Sequence, residues 1–254
     1  MSPDNKSPLT SETIELMLNH RSVRKFTDKT ICESDLASLV SAGQAAASSS
    51  FIQAYSIIRV SDESVRKQIA AAAGGQKWIN EAPEFLVYCA DLKRVDYACV
   101  QQEQGALEGH TEHFIAATVD VALVAQNIML AAESIGLGGV YIGGIRNDPQ
   151  LLADLLELPD QVYPVFGMCL GWPAVNPEIK PRFPVTSIFH HEKYQAEKIE
   201  ANVQAYDNQM QSYYQSRDSN SYSSNWSEQT AKAVQQKKRE HMRSILQKYG
   251  LLKL

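Results

Sequence analysis

The sequence predicts an α+β fold, on three observations. Apolar β-type runs and amphipathic helical runs are interleaved without regular βαβ alternation, which argues against a doubly wound sheet. The longest apolar run, Phe114 to Ala132, has helical length but contains Asp120, Gln126 and Asn127, each costly in hydrocarbon. It reads as a helix buried in a core or a subunit interface, not a membrane span. From about Ala196 the chain turns polar and helical. The expected organisation is therefore a core over 1–195 and a helical C-terminal extension over 196–254.

The elements follow in order. Thr10 or Ser11 caps a helix over 11–21, with Ile14, Met17 and Leu18 on one face. A second helix starts near Ser34 and runs through Leu36, Leu39 and Val40. "SIIRV" is a short strand, and "ESVRKQIAAAAG" is a helix stopped by Gly74 and Gly75. "EFLVYCAD" is a buried strand. A polar segment near "QQEQGALEGH" precedes the longest helix, about 111–135. "GGVYIGG" is a strand between glycine pairs, and Asp148–Pro149 opens a helix with N-cap and N1 preferences met. "YPVFGMCLGWP" is the last strand. Pro173, Pro177, Pro181 and Pro184 force an extended loop after it. "SRDSNSYSSNW" is too polar to pack well and reads as a mobile loop. "SEQTAKAVQQKKREHMRSILQKYGLL" returns to a helical pattern.

The bulk numbers exclude several classes. A net charge of −5 argues against a nucleic-acid binder, which needs a broad basic surface. "MSPDNKSPLT" has no apolar core of a secretory signal. The four cysteines, Cys32, Cys89, Cys99 and Cys169, form no C-x-x-C pair. Reduced thiols and a cytoplasmic location are expected. No metal site is read, because His190 and His191 are adjacent and diverge.

Two basic clusters stand out against the acidic background. "HRSVRKF" gathers His20, Arg21, Ser22 and Arg24, and "KPR" places Lys180 and Arg182 in the proline loop. Forked Arg donors with a hydroxyl suit a phosphate monoester. Taken alone, the first cluster also reads as a basic helix end and the second as a solvated loop. "GLGGVYIGG" fails as a dinucleotide loop: Tyr141 holds the third required position, and the glycines lead into a strand instead of out of one. Gly143 and Gly144 at the strand's end are suited to close backbone approach to a flat ligand.

"HRSVRKF", "AASSSFIQAYSIIRV", "GGQKWI", "AESIGLGGVYIGGIRND", "FGMCLGWPAVNPEIKPR" and "Y-x6-YY-x2-R" occur in this order. Together they resemble the oxygen-insensitive NADPH nitroreductase and NADPH-flavin oxidoreductase group of the nitroreductase superfamily. The resemblance runs from about Thr13 to Trp226, with a small insertion near 95–110. It implies a nitroreductase-like α+β fold, with a central, mainly antiparallel sheet flanked by helices. It also implies an intertwined FMN-containing homodimer, with the sites at the subunit interface and the C-terminal extension packing on the core and the partner.

By the same resemblance His20, Arg21 and Ser22 hold the FMN phosphate and ribityl end, with Lys180 and Arg182 closing on the phosphate. Arg24 reaches the pyrimidine edge and tunes the flavin. Ser48 and Gln76 hydrogen-bond the ring, and Tyr141, Ile142, Gly143 and Gly144 lie beside it. Arg217 reads the 2′-phosphate of NADPH. The following "DSNSYSSNW" lacks the further arginines of relatives, so NADH stands as an alternative donor. No catalytic side chain is implied. The implied activity is two-electron ping-pong reduction of nitroaromatics and quinones. The alternatives are a flavin reductase supplying free reduced FMN and a flavin-binding redox module without turnover.

Overall fold

The computed structural model describes residues 10–216, 223–236 and 238–254. Four strands form one antiparallel sheet: β1 (Tyr55–Arg59), β2 (Glu84–Asp91), β3 (Gly138–Ile142) and β4 (Val162–Gly171), in the order β1-β2-β4-β3. β2 and β4 are the central strands, which explains their near-continuous apolar sequences: both faces are covered. Alternation divides β2 between two cores. Leu86, Tyr88 and Ala90 join one; Phe85, Val87 and Cys89 join the other.

The first core is built against α2 (Glu33–Gln44) and α6 (Thr111–Ser134), with α10 (Met242–Lys248) completing it. The second is built against α3 (Glu63–Ala72), α4 (Trp78–Glu81) and α7 (Pro149–Leu155). Caps fit their sequences: Ser11 accepts from Ile14 N, Asp62 from Val65 N, and Asp148 from Leu151 N with Pro149 at the first helical position. Burial in the second core pushes the Cys89 thiol up to about 12.

α6 buries Ala117, Asp120, Val121, Val124, Ala125, Ile128, Met129 and Ala132. Its opposite face leaves Ile115, Val119 and Leu123 over 40% exposed at successive i, i+4 positions. By length and composition α6 also passes as a membrane-span candidate. Its buried face carries an acidic residue and packs on a sheet.

Several expectations need correction. α1 covers only Glu12–Leu18 of the expected 11–21. The backbone from Val23 onward bonds to strands, so the basic cluster is not a helix end. α5 (Lys93–Gln101) occupies a stretch that shows no clear helical signal. The expected C-terminal helix is two, α9 (Trp226–Gln236) and α10, and Arg239 between them has a φ of 46° that no α-helix accommodates. Of the segment expected to be a mobile loop, 216–226, Ser216 ends α8 (Ile199–Ser216), Trp226 opens α9, and 217–222 lie outside the described residues.

By compactness the chain comprises two units, Met1–Pro177 with Glu240–Leu254, and Glu178–Arg239. The second contains α8 (Ile199–Ser216) and α9, held by a small core of Tyr206, Met210 and Tyr214 with Phe183 and Trp226.

Candidate active site

His20 to Phe26 forms an extended strap along the sheet. Val23 N donates to Gly139 O at 2.9 Å, Ala174 N to Lys25 O at 3.0 Å, and Thr27 N to Trp172 O at 2.9 Å, while Phe26 bridges Pro173. Val23 is the buried anchor, seated where Gly138 has no side chain: a Cβ there would meet Val23 Cγ2 at 2.6 Å. With the backbone bonded and Val23 turned in, His20, Arg21 and Ser22 are half-buried, and Arg24 and Lys25 are exposed.

The basic side chains of the strap are oriented one by one. His20 Nδ1 lies 2.6 Å from Glu133 Oε1, near the C-terminal end of α6. Arg21 donates through Nε to Asn19 O at 3.0 Å, and through Nη1 to Asn176 Oδ1 at 2.6 Å. It lines a cavity of about 270 Å³ with Val23, Glu133, Gly138, Pro173 and Asn176. The Arg24 guanidinium stands 5.8 Å from the Trp78 ring centroid, a cation–π distance.

Trp78 opens α4, two residues after Gln76 in the α3–α4 connection, which the tight turn following β3 (Gly143–Asn147) approaches. A Cβ on Gly144 would lie 2.5 Å from Ala73 O and would also strike the Gln76 amide, so only glycine allows this approach. Gln76 Nε2 donates to Ala73 O at 2.8 Å, leaving its Oε1 as an acceptor. Ile142 belongs to the second core and Tyr141 packs against the first, with Phe166 edge-on at 5.2 Å. Burial, then the charge of Glu133, raises the Tyr141 phenol. The strap, the end of β3 and Gln76 are thus brought together.

Ser48 is held elsewhere. Its loop is tied to α6 through Asp120, whose Oδ1 accepts from Ser49 N at 2.8 Å and whose Oδ2 accepts from Ala54 N at 3.2 Å. Asp120 and Glu133 are thirteen positions apart on α6. At about 1.5 Å per residue, the anchors of Ser48 and His20 are separated by roughly 20 Å along the helix.

Within the second unit, Lys180 and Arg182 flank a residue that is locked in place. Tyr206 Oη donates to Pro181 O at 2.7 Å, Phe183 packs on the Tyr206 ring at 3.9 Å, and Lys180 Nζ lies 5.3 Å from the Tyr214 centroid. Burial raises the Tyr206 phenol, with Arg182 opposing. Arg217 is outside the described residues.

The sequence reading passed over Glu133, the role of Asp120 and the aromatic seat of the KPR loop. An acidic residue in an otherwise apolar helical face was the visible signal for Asp120. The other two had none. The donor set fits a flavin mononucleotide: guanidinium, imidazole and hydroxyl groups suit its phosphate and ribityl tail, and an amide with close glycine backbone suits a flat ring.

This fold and this donor set define a flavin-binding α+β class. The model of the Nitroreductase family matches residues 17–172, and that of the Nitroreductase family, C-terminal domain, matches residues 180–253. The chain is 41% identical to the oxygen-insensitive NADPH nitroreductase of Salmonella typhimurium, over 94% of this chain and 98% of that protein. The structure of the nitroreductase NfrA1 from Bacillus subtilis superimposes with a TM-score of 0.91 at 36% identity, covering 96% of this chain and all of that one. The NADPH:FMN oxidoreductase from Vibrio harveyi, solved complexed with NAD+, does so at 0.86 and 40% identity, covering 96% of this chain and all of that one. The chain belongs to the nitroreductase family.

Proposed function

We propose that the protein is an FMN-dependent oxidoreductase that takes electrons from NADPH, with NADH as the alternative donor, and reduces nitroaromatics and quinones. The observation that carries this reading is the strap. It pairs with β3 through Val23, sets His20 against Glu133 and Arg21 against Asn176, and brings Arg24 over Trp78, next to the connection where Gln76 meets Gly144. Two relatives of such a chain are named for NADPH nitroreductase and NADPH:FMN oxidoreductase activity.

FMN, when held there, would supply the two-electron redox chemistry that links the nicotinamide donor to the acceptor in ping-pong order. The residues bind and polarise. His20, Arg21 and Ser22, with Lys180 and Arg182, hold the phosphate and ribityl end; Glu133 orients His20, and Asn176 orients Arg21. Arg24 carries a cation to the pyrimidine edge, where it favours the negative charge that reduction builds. Ser48 and Gln76 hydrogen-bond the ring, Tyr141 to Gly144 border it, and Arg217 reads the NADPH 2′-phosphate. No side chain acts as a nucleophile.

The working unit is a homodimer in the cytoplasm. Supporting this, the exposed Ile115–Val119–Leu123 face of α6 is an apolar stripe beside the Ser48 loop, and pairing two copies would cover it. Leu123→Glu is expected to convert the dimer to a monomer in gel filtration. An unchanged elution volume would remove this assignment.

A flavin reductase releasing free reduced FMN is the second reading, favoured by the name of the Vibrio relative. The test is direct. The purified protein is expected to be yellow with bound FMN and to sustain NADPH oxidation with a nitroaromatic. Bleaching without sustained turnover would leave a redox module, and a colourless protein that takes up no FMN would overturn the reading. Faster turnover with free FMN than with any nitro or quinone compound would select the flavin reductase.

A further inference from the structure

We propose that Asp120 is a positioning residue for the flavin site, acting through Ser48 by holding the Ser48–Gln53 loop in a shape it would otherwise leave. The inference rests on the assignment of Ser48 as a ring ligand. Asp120 is fully buried on α6, among Ala117, Val121 and Val124. An apolar residue would serve packing there without burying a charge. What the carboxylate does instead is reach the two ends of one loop: Ser49 N at 2.8 Å and Ala54 N at 3.2 Å.

Between those two bonds the backbone is strained. Ser50, Phe51 and Gln53 have φ of 46°, 58° and 50°, and none is glycine. A β-carbon disfavours this left-handed region, most of all on a bulky side chain such as Phe51. Three such residues in four positions persist only where surrounding contacts over-determine them. The contacts on hand are Asp120 at both ends, two turn bonds inside the loop, from Phe51 N to Ser48 O at 3.3 Å and from Ile52 N to Ser49 O at 2.9 Å, and one to the side chain, from Gln53 N to Ser48 Oγ at 3.4 Å. Ser48 is therefore part of the strained unit: its hydroxyl is held by the loop, and the loop is held by Asp120. If the clamp is lost, the hydroxyl loses the place from which it meets the ring.

The test is a double-mutant cycle in the holoenzyme, with the dissociation constant of FMN and the reduction potential of the bound flavin as readouts. Asp120→Asn keeps the shape but sets an amide N–H against one of the two backbone donors. Asp120→Asn and Ser48→Ala are each expected to raise the FMN dissociation constant about fivefold, the loss of one ordinary hydrogen bond, and to shift the potential in the same direction. The double variant is expected to match either single one. A roughly twenty-five-fold rise in the double variant, or a silent Asp120→Asn beside an active Ser48→Ala, would overturn the proposal. A silent Ser48→Ala would instead remove the Ser48 assignment, and the proposal with it. Should Asp120→Asn fold poorly, adding Ser50→Gly and Gln53→Gly, which accept positive φ freely, is expected to restore most of the FMN affinity. No restoration would count against strain as the mechanism.

Discussion

The His20–Phe26 strap and the Ser48–Gln53 loop have the same proposed task, to deliver polar side chains to one cofactor, and they are built in opposite ways. The strap borrows the sheet: its backbone pairs with β3 and with the end of β4, Val23 drops into the space over Gly138, and the side chains are left to bind. The loop has no strand to lean on. It bends through three left-handed residues, closes on itself with short turn bonds, and has both ends tied to α6 by one buried carboxylate. Backbone pairing gives a position that tolerates side-chain change, whereas a clamped, strained loop depends on one residue elsewhere in the chain.

That contrast predicts opposite responses to glycine chemistry. Gly138→Ala pushes a methyl group to 2.6 Å from Val23 Cγ2 and is expected to destabilise the fold by about 1–3 kcal/mol, read as a lowered Tm, with weakened FMN retention. An unchanged Tm would mean that the strap is not seated by this contact. Of comparable size, Arg24→Ala removes a charge-assisted contact of about 1.5–3 kcal/mol, equivalent to about 30–60 mV for a two-electron couple. The flavin potential should fall by that amount while FMN affinity changes less. Equal effects on both would show that Arg24 only holds the cofactor.

In the loop the sign reverses. Ser50→Gly is expected to stabilise the protein by up to about 1 kcal/mol, because glycine accepts φ near 46° and offsets only part of this through its looser unfolded chain. A clear loss of stability would show that the Ser50 side chain, not its backbone, matters. At neutral pH the smallest effect concerns the sheet on which the strap rests. Burial raises Cys89 from 9.0 to about 12, so the unfolded thiol ionises first. Its contribution to stability is complete below pH 9 and declines as the pH rises towards 12. Below pH 9, Cys89 should resist thiol reagents while exposed Cys32 reacts.

The sheet and its helices were legible because their signals are local. β2 and β4 are unbroken apolar runs since both faces are covered, and the Asp148–Pro149 start marks α7 by capping chemistry. The same locality misled at 20–24, where cations after an amphipathic helix look like a helix end; bonds to Gly139 and Trp172 draw the chain out of the helix. For the site, residue types and motif order pointed to the binding side chains. Their supports did not show, because a lone Glu133, or a tyrosine such as Tyr206, looks like any other in a helix.

By itself the sequence determined the α+β class, the long apolar helix, the two basic clusters and the nitroreductase resemblance, all of which follow from periodicity, composition and motif spacing along the chain. Only the tertiary structure decided that Glu133 faces His20 across 113 positions, that Asp120 closes the Ser48 loop across 71, and that Tyr206 secures the peptide between Lys180 and Arg182. The physical reason is that a hydrogen bond needs two groups within about 3 Å. Between residues so distant in sequence, only the path of the folded backbone sets that distance.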